Sequence, residues 1–181
     1  MKKLLIVLGI PGSGKDTQIE ELSRRRSAEV IRIGDLVRAK AQSDPQLSKD
    51  LEEGNLADDE LVNDLIKHSI KGFSEDAFII SDGFPRDLAQ AKWLEEFLSS
   101  EDLKLEYAML LDVDDAVAMQ RLMKRGREDD NEATIKHRFD VFHDKTDEVV
   151  KYFDSKGILV RIDGNGTPEQ VQDDIKEKLS W

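Results

Sequence analysis

Five short apolar runs recur along the chain, and longer segments of helical periodicity separate them. The runs are Lys3–Leu8, Val30–Ile33, Ala77–Ser81, Tyr107–Leu111 and Ile158–Ile162. Short apolar runs without polar alternation are typical of strands that are buried on both faces of a sheet. Because helical segments lie between successive strands, the pattern predicts an α/β fold with a five-stranded parallel sheet and helices on both faces. Ligands in such folds bind at the carboxyl ends of the strands, so functional residues are expected there.

Two segments depart from the alternation of strands and helices. The first, at about 34–72, has helical signals throughout and is predicted to be a helical insertion. We expect Asp35 to cap its first helix and Asp58 or Asp59 to cap a later one, because these side chains can accept hydrogen bonds from a first helical turn. The second segment, at about 126–130, is a short polar break between two helices.

A long helix is predicted from about Asn131 onward. One side of it is apolar, which we interpret as core packing, and consists of Ile135, Phe139, Phe142, Val149 and Phe153. The sequence shows no internal repeat and no flexible linker. A single domain is therefore predicted over 1–181, with a core at 1–33, 73–125 and 131–181.

The residues after the first apolar run, Gly9–Gln18, form a glycine-rich turn that leads into a helical segment. Such a turn aims several backbone N–H groups into one concavity, where the positive end of the helix dipole adds to their attraction for an anion. The spacing G-x-x-x-x-G-K is met through Lys15, which can reach the outer phosphates of a nucleotide. Asp16 stands where Ser or Thr is expected, and Thr17 lies one residue past that position. The stretch predicts a phosphate-binding loop, with a purely structural turn as the alternative.

Charge and composition narrow the classes of partner. Lys and Arg number 27 against 39 Asp and Glu, which gives a net charge of −12. Such a chain repels nucleic acids and anionic membranes, so a polyanionic ligand requires a local basic cluster. The sequence contains no cysteine, which excludes disulfides and thiolate zinc sites, and its N-terminal apolar stretch is too short for a membrane span. We expect a cytoplasmic monomer that acts on small molecules and binds neither nucleic acid nor membrane.

Several short sequence blocks, spread along the whole chain, are similar to the motifs of a known protein family. They are Gly9–Gln18, Ile33–Arg38, Gly54–Val62, Asp82–Arg86, Arg121–Arg125, Arg127–Glu132 with Arg138, and Gly164–Pro168. In these blocks the chain resembles the adenylate kinase family of nucleoside monophosphate kinases, and the Asp-Gly-Phe-Pro-Arg block is the most specific of them. The resemblance implies a P-loop NTPase fold with a helical NMP-binding insertion, a very short lid, and Mg²⁺-dependent reversible transfer of a phosphoryl group from ATP to AMP.

The resemblance also implies roles for individual residues. The ATP site would be formed by Gly12, Ser13, Gly14, Lys15, Asp16, Thr17, Arg121, Arg125 and Gly166. The AMP site would be formed by Ile33, Gly34, Arg38, Asn55, Leu56, Ala57, Gly83, Phe84, Pro85, Arg86, Gln90, Arg127 and Arg138. The residues expected to act in phosphoryl transfer are Lys15, Arg86, Arg121, Arg125, Arg127 and Arg138. Mg²⁺ would be held by Asp82 through water and by Thr17, no zinc is expected, and the Phe84-Pro85 bond is expected to be cis as in the family.

The chemistry of two facing nucleotides supports the arginine set. About five phosphates share the cleft, which requires donors whose charge does not titrate, and arginine meets that need better than lysine. Arg121 and Arg125 share a helix face. Like charges at that spacing cost about 0.2–0.5 kcal/mol, so a bound polyanion gives a reason for the pair. Ion pairing with Glu128, Asp129 or Asp130 is the alternative for each arginine alone.

No histidine–carboxylate or serine–histidine arrangement in the sequence suggests a general base. His68, His137 and His143 are scattered and are interpreted as surface residues. A monophosphate acceptor is largely dianionic at pH 7 and needs no deprotonation. Catalysis then reduces to positioning and charge stabilisation.

The acceptor base is predicted from Gln90, whose amide can donate and accept in one plane against an adenine edge. Against this, the family has threonine and valine where this chain has Ile33 and Ala57. AMP is the expected acceptor, and a UMP/CMP-type nucleoside monophosphate kinase is the alternative. Two other classes of protein are alternatives. One is a non-catalytic nucleotide-binding P-loop module. The other is a GTPase, whose guanine-reading element has its nearest match here in Asp144–Asp147.

Two further departures from the family concern the lid and the phosphate-binding loop. Only Gly126 separates Arg125 from Arg127, where the family has a longer lid. Closure must exclude water, so we expect it to use Gly126, Arg127 and the adjacent helix ends, with some ATP hydrolysis as the risk. The family has glycine at the position of Asp16, and our hypothesis is that this carboxylate points away from the phosphates, toward solvent or a basic residue.

Overall fold

A computed structural model describes residues 1–53, 55–127 and 130–180, so Gly54 of the insertion and Glu128 and Asp129 of the lid lie outside the described residues. The central sheet consists of β1 (Lys2–Leu8), β2 (Glu29–Arg32), β3 (Phe78–Asp82), β4 (Leu103–Asp112) and β5 (Leu159–Asp163). Neighbouring strands all pair in parallel, in the order β2-β3-β1-β4-β5. The predicted five-stranded parallel sheet is confirmed.

Helices connect the strands. The chain between β2 and β3 contains α2 (Ile33–Ala41), α3 (Pro45–Glu52) and α4 (Asp59–Gly72). The chain between β4 and β5 contains α6 (Asp115–Arg125), α7 (Glu132–Val141), a π-helical turn at Phe142–Thr146 (the π-turn) and α8 (Asp147–Ser155). The other connections and the C-terminal segment are α1 (Lys15–Arg26), α5 (Leu88–Ser100) and α9 (Pro168–Leu179). None of the helices within residues 1–53, 55–127 and 130–180 combines the length and the apolar character that crossing a membrane requires.

Alternate residues of β1 face opposite sides of the sheet, and both sides are covered by helices. Leu4 and Ile6 belong to a core cluster with residues of α2, α4, α5 and α8. Leu5 and Val7 belong to a second cluster with residues of α1 and α9. All four are buried, which explains why the sequence of β1 is apolar without alternation.

Several element boundaries differ from the sequence-based expectation. Ile33 begins α2 instead of ending β2, because pairing of β2 with β3 stops where Arg32 lies opposite Asp82. Asp35 was expected to cap this helix but lies inside its first turn, where it forms an ion pair with Arg38. The expected cap of α4 is confirmed, since the Asp58 carboxylate accepts hydrogen bonds from two N–H groups of the first turn.

Three other elements are longer or more irregular than expected. β3 extends through Asp82, and β4 starts at Leu103 with an irregularity at which the strand register with β1 skips Glu106. Asn131 caps α7, but the expected long helix contains the π-turn. Its apolar side is packed in the core as interpreted, with Phe142 half-buried and the other members buried.

Candidate active site

The loop between β1 and α1 is held together by its own lysine. The Lys15 ammonium donates hydrogen bonds to the carbonyl oxygens of Gly9 at 2.8 Å and Ile10 at 3.2 Å. Burial lowers the pKa of Lys15, and the nearby carboxylates of Asp82 and Asp16 raise it in part. A cation that has already lost much of its water interacts strongly with a phosphate. The position of Lys15 and its loss of hydration therefore both favour the binding of an anion.

Two glycines allow the surrounding loops to pack closely. Gly12 has a φ of 81°, and a Cβ at this position would lie 2.6 Å from the carbonyl oxygen of Ala118 in α6. A Cβ at Gly164, directly after β5, would lie 2.3 Å from Val113 Cγ2. Only glycine avoids these overlaps, so the phosphate-binding loop and the loop after β5 both lie against the start of the α6 region.

Arg121 of α6 connects these two loops. Its guanidinium donates to the carbonyl oxygen of Ser13 at 3.3 Å, and to those of Asn165 at 3.5 Å and Gly166 at 3.4 Å. Three residues predicted for the ATP site, Ser13, Arg121 and Gly166, thus lie together. Thr17 and Asp16, at the start of α1, are exposed.

The carboxyl end of β3 brings Asp82 beside the phosphate-binding loop, because β3 pairs with β1 and Asp82 lies opposite Val7. Burial raises the pKa of Asp82, while the Lys15 ammonium lowers it in part. Asp82 and Lys15 are thus a carboxylate and an ammonium that influence each other at the edge of the sheet where ligands are expected.

The block after β3 turns sharply and directs Arg86 back to the end of the strand. The Phe84-Pro85 bond is cis, as expected from the family. Gly83 has a φ of 77°, and its carbonyl oxygen accepts a hydrogen bond from Arg86 Nε at 2.7 Å. Phe84 itself is buried, with its ring edge-on to Trp93, so it anchors the turn in the core.

Three arginines from separate elements come close at this point. Burial lowers the pKa of Arg86, Asp82 raises it, and the charges of Arg38 in α2 and Arg138 in α7 lower it again. Arg38 also donates to Asp35 at 2.5 Å. Like charges so near to one another favour an anion between them. Of the four arginines predicted for the AMP site, Arg38, Arg86 and Arg138 therefore lie near one another, while the described contacts of Arg127 are those of its backbone with Asp130.

The lid contains a carboxylate that holds both of its arginines. Asp130, whose side chain is 0% exposed, accepts hydrogen bonds from Arg125 Nε at 2.9 Å and Nη2 at 2.7 Å, and from the Arg127 N–H at 3.1 Å. Hydrogen bonding from Arg125 lowers the pKa of Asp130. Of the acidic partners considered for Arg125, Asp130 is paired with it here, while Glu128 and Asp129 lie outside the described residues.

A cavity of about 410 Å³ opens between the insertion, the start of α5 and the π-turn. Its volume is in the range of small-molecule sites, and we call it the acceptor cavity. It is lined by Asn55, Leu56, Ala57, Asp58, Asp59, Asp87, Val141 and Lys145. Three of these were predicted for the AMP site: Asn55, Leu56 and Ala57. Asp59, Asp87 and Lys145 were not recognised as site residues from the sequence.

Gln90, the residue expected to contact the base, is 2% exposed and hydrogen-bonded at both ends of its amide. Its Oε1 accepts from the Arg86 N–H at 2.8 Å, and its Nε2 donates to Asp59 Oδ1 at 2.7 Å. Asp59 therefore both lines the acceptor cavity and holds Gln90. The only signal for this in the sequence was the position of Asp59 at a helix start, which indicated a cap.

Among the described contacts, none of the histidines is hydrogen-bonded to Lys15, Asp82 or Arg86, although His137 contacts a residue that lines the acceptor cavity. His68 and His143 are exposed, as interpreted, whereas His137 is half-buried with its ring nitrogen 3.4 Å from Asn55 Oδ1. His143 lies between two carboxylates, Asp115 at 3.2 Å and Asp147 at 3.6 Å.

Comparison with known proteins agrees with this geometry. The family described as "Adenylate kinase" matches residues 7–158 of the chain. A protein named adenylate kinase from Parasynechococcus marenigrum is 37% identical, over 99% of this chain and 100% of its own length. Proteins of the same name from Prochlorococcus marinus (36% identical, 99% of this chain and 100% of their own) and Pseudarthrobacter chlorophenolicus (33%, 97% and 95%) are also similar.

Proposed function

Because the chain belongs to the adenylate kinase family, we propose that it transfers a phosphoryl group reversibly between Mg·ATP and AMP, which yields two ADP. The observation that carries this proposal is the cluster at the carboxyl ends of β1 and β3. There Lys15 lies beside Asp82, and Arg86 is close enough to Asp82, Arg38 and Arg138 for their charges to act on its pKa, which Asp82 raises and the two arginines lower. One phosphate-binding loop needs a single lysine, whereas two facing polyphosphates need the additional arginines.

We assign the donor nucleotide to the phosphate-binding loop. Its backbone N–H groups and Lys15 would bind the outer phosphates, and Arg121 would hold the loop against the loop after β5. Four arginines would bind the acceptor phosphate and the group in transfer: Arg38, Arg86, Arg127 and Arg138. The base of the acceptor would occupy the acceptor cavity, next to Gln90.

Catalysis in this arrangement consists of positioning and charge stabilisation. A dianionic acceptor phosphate attacks without a general base. Arginines held by the fold would stabilise the charge on the transferred group, and each is expected to matter by about 10³–10⁵ in rate, as arginine fingers do. Closure of the lid through Gly126 and Arg127 would exclude water from the cleft.

We propose Mg²⁺ as the cation, which Asp82 would hold through water together with the hydroxyl of Thr17. In the part of the chain that the structure describes, no group of three or more His, Cys, Asp or Glu could hold a metal ion. Mg²⁺ keeps several waters and binds phosphate oxygens together with one or two carboxylates, so a strand-end carboxylate and a hydroxyl fit it. When bound, the ion would neutralise phosphate charge during transfer.

We further propose that the protein acts as a cytoplasmic monomer on free nucleotides and binds neither nucleic acid nor membrane surfaces. The net charge of −12 supports this, because a surface of that sign repels polyanions.

Incubation of the protein with ADP and Mg²⁺ tests the proposed function. We expect equal amounts of ATP and AMP to form until equilibrium is reached, and EDTA to stop the reaction. A non-catalytic nucleotide-binding module would leave ADP unchanged, and a simple nucleotidase would release inorganic phosphate. Either result would overturn the proposal.

A further inference from the structure

The acceptor cavity is acidic where the phosphate cluster is basic. Three of its lining side chains are carboxylates and one is a lysine: Asp58, Asp59, Asp87 and Lys145. Asp58 caps α4, accepting from the N–H groups of the first turn, and Asp87 caps α5, accepting from the Gln90 N–H at 2.9 Å. Asp59 differs from these two because its described partner is a side chain, the Gln90 amide.

The two hydrogen bonds of Gln90 fix which way its amide points. The oxygen is directed to the Arg86 N–H and the nitrogen to Asp59. Arg86 is itself held through its carbonyl oxygen, which accepts from the Thr146 hydroxyl at 2.8 Å. With both ends engaged and the side chain 2% exposed, reversal of the amide would bring its oxygen against the Asp59 carboxylate. A ligand in the cavity therefore meets the Asp59 carboxylate, which accepts hydrogen bonds, and beside it the NH₂ group of Gln90, which donates them.

We infer that Asp59 determines which acceptor base is used, and that it selects bases with an exocyclic amine, adenine and cytosine, over guanine and uracil. This inference rests on the proposed function. An ionised carboxylate can only accept hydrogen bonds. Adenine and cytosine present an amine donor at the position where guanine and uracil present a carbonyl acceptor. A carbonyl against the Asp59 carboxylate would leave two acceptors facing each other, which is an effective way to reject a substrate.

The adjacent amide completes the pattern. The second hydrogen of Gln90 Nε2 can donate to the ring nitrogen beside the amine, N1 of adenine or N3 of cytosine. Gln90 alone could serve either kind of base if its amide reversed, because an amide carries both a donor and an acceptor. Asp59 removes that ambiguity, so it acts as a specificity residue and as the positioning residue for Gln90.

Replacement of Asp59 by asparagine tests the inference. Asparagine keeps the shape of the aspartate side chain and one oxygen that can accept from Gln90. It also adds an NH₂ donor, which suits the carbonyl of guanine or uracil. In a coupled assay with saturating Mg·ATP, we expect kcat/KM for AMP and CMP to fall about tenfold to a hundredfold, mainly through KM. We expect kcat/KM for GMP and UMP to rise, and KM for ATP to stay unchanged.

Asp64→Asn is the matched control, since Asp64 lies on the same helix, is 69% exposed and pairs only at 3.6 Å with Lys67. It should leave all four acceptors unchanged. Asp59→Glu retains the carboxylate and should retain the preference for amine-bearing bases, even with a higher KM.

The outcomes separate this inference from the proposed function. If wild-type protein forms no ATP and AMP from ADP, the proposed function fails and the inference falls with it. If the wild type is active but Asp59→Asn leaves the ratio of AMP to UMP kcat/KM within about twofold of wild type, the inference alone is wrong. Should Asp59→Asn fail to fold by thermal unfolding, loss of the preference in Asp59→Glu overturns the inference.

Discussion

Replacement of Asp130 by asparagine measures how far the lid depends on one buried carboxylate. Asp130 is fully buried and accepts hydrogen bonds from the Arg125 guanidinium and the Arg127 N–H. Asparagine preserves the shape of the side chain but removes its charge. It also turns one of the two acceptors into a donor that faces the Arg125 guanidinium in either orientation of the amide, and in one of them the Arg127 N–H as well.

The expected loss follows from burial. A hydrogen bond to a charged group contributes about 1.5–3 kcal/mol, and removal of one partner from a fully buried ion pair costs about 3–5 kcal/mol. The Arg125 side chain is 33% exposed, so it can regain water when it loses Asp130. We therefore expect the free energy of unfolding to fall by about 2–3 kcal/mol, which for a chain of this size lowers the melting temperature by about 4–12 °C.

Thermal and urea unfolding of wild type, Asp130→Asn and Asp173→Asn test this value. Asp173 is the matched control, because its ion pair with Lys176 has the same 2.7 Å distance as Arg125–Asp130 but its side chain is 75% exposed. Exposed pairs contribute about 0–1 kcal/mol. Equal losses in the two variants would refute the argument from burial.

The same pair predicts a pH dependence. Hydrogen bonding from Arg125 lowers the pKa of Asp130 in the folded protein. The stabilisation is therefore fully present above the pKa of an unfolded aspartate, about 4, and is lost as the pH falls toward the folded value. The difference between wild type and Asp130→Asn should shrink in that acidic window. A difference that stays constant down to the folded pKa would contradict the assignment.

Arg86→Ala should fold normally, because the contacts of Arg86 with Gln90 and Thr146 use its backbone. Its turnover should nevertheless fall by about 10³–10⁵. Near-normal turnover in the coupled assay would contradict the proposed role of Arg86. Asp82→Asn should raise the free energy of unfolding at neutral pH, since burial raises the pKa of Asp82 and its ionised form costs stability. Urea titrations should show this gain disappearing as the pH falls below about 4, where the carboxyl is protonated in both states, and an unchanged stability at pH 7 would argue against it. Asp16→Gly should change ATP affinity by less than about fivefold, because Asp16 is exposed in the first turn of α1; calorimetry showing a much larger gain would mean that Asp16 faces the phosphates. Without AMP, closure of the short lid should keep ATP hydrolysis negligible beside transfer, and measurable phosphate release would show that the lid admits water.

Local patterns in the sequence were sufficient for the elements that depend on neighbours along the chain. The glycine spacing of the phosphate-binding loop, the apolar run of β1 and the cap by Asp58 each involve residues within a few positions of one another. The strand ends then followed from the parallel topology, because successive carboxyl ends meet at one edge. This is why the pattern places functional residues, Lys15 among them, at that edge, whereas the roles of Asp82 and Arg86 were implied by the resemblance to the family.

Contacts between distant segments could not be predicted in this way. Gln90 and Asp59 meet across the junction of α5 with the insertion, and Arg121 reaches two loops far from it in the chain. Lys145 reaches the acceptor cavity from the π-turn, an irregularity that periodicity does not reveal. The sequence offered Asp130 as one of three acidic partners for Arg125, and the structure shows that the two are paired.

The charges of the site act differently on its lysine, Lys15, and on its arginines. Burial and the nearby charges of Arg38 and Arg138 lower the pKa of Arg86, but a guanidinium starts so high that it stays protonated. A lysine in that position would lose its proton far more readily. Lys15 is also desolvated, yet the carboxylates of Asp82 and Asp16 raise its pKa in part. The Asp16 carboxylate therefore acts on the pKa of the lysine of the phosphate-binding loop, although the residue itself is exposed.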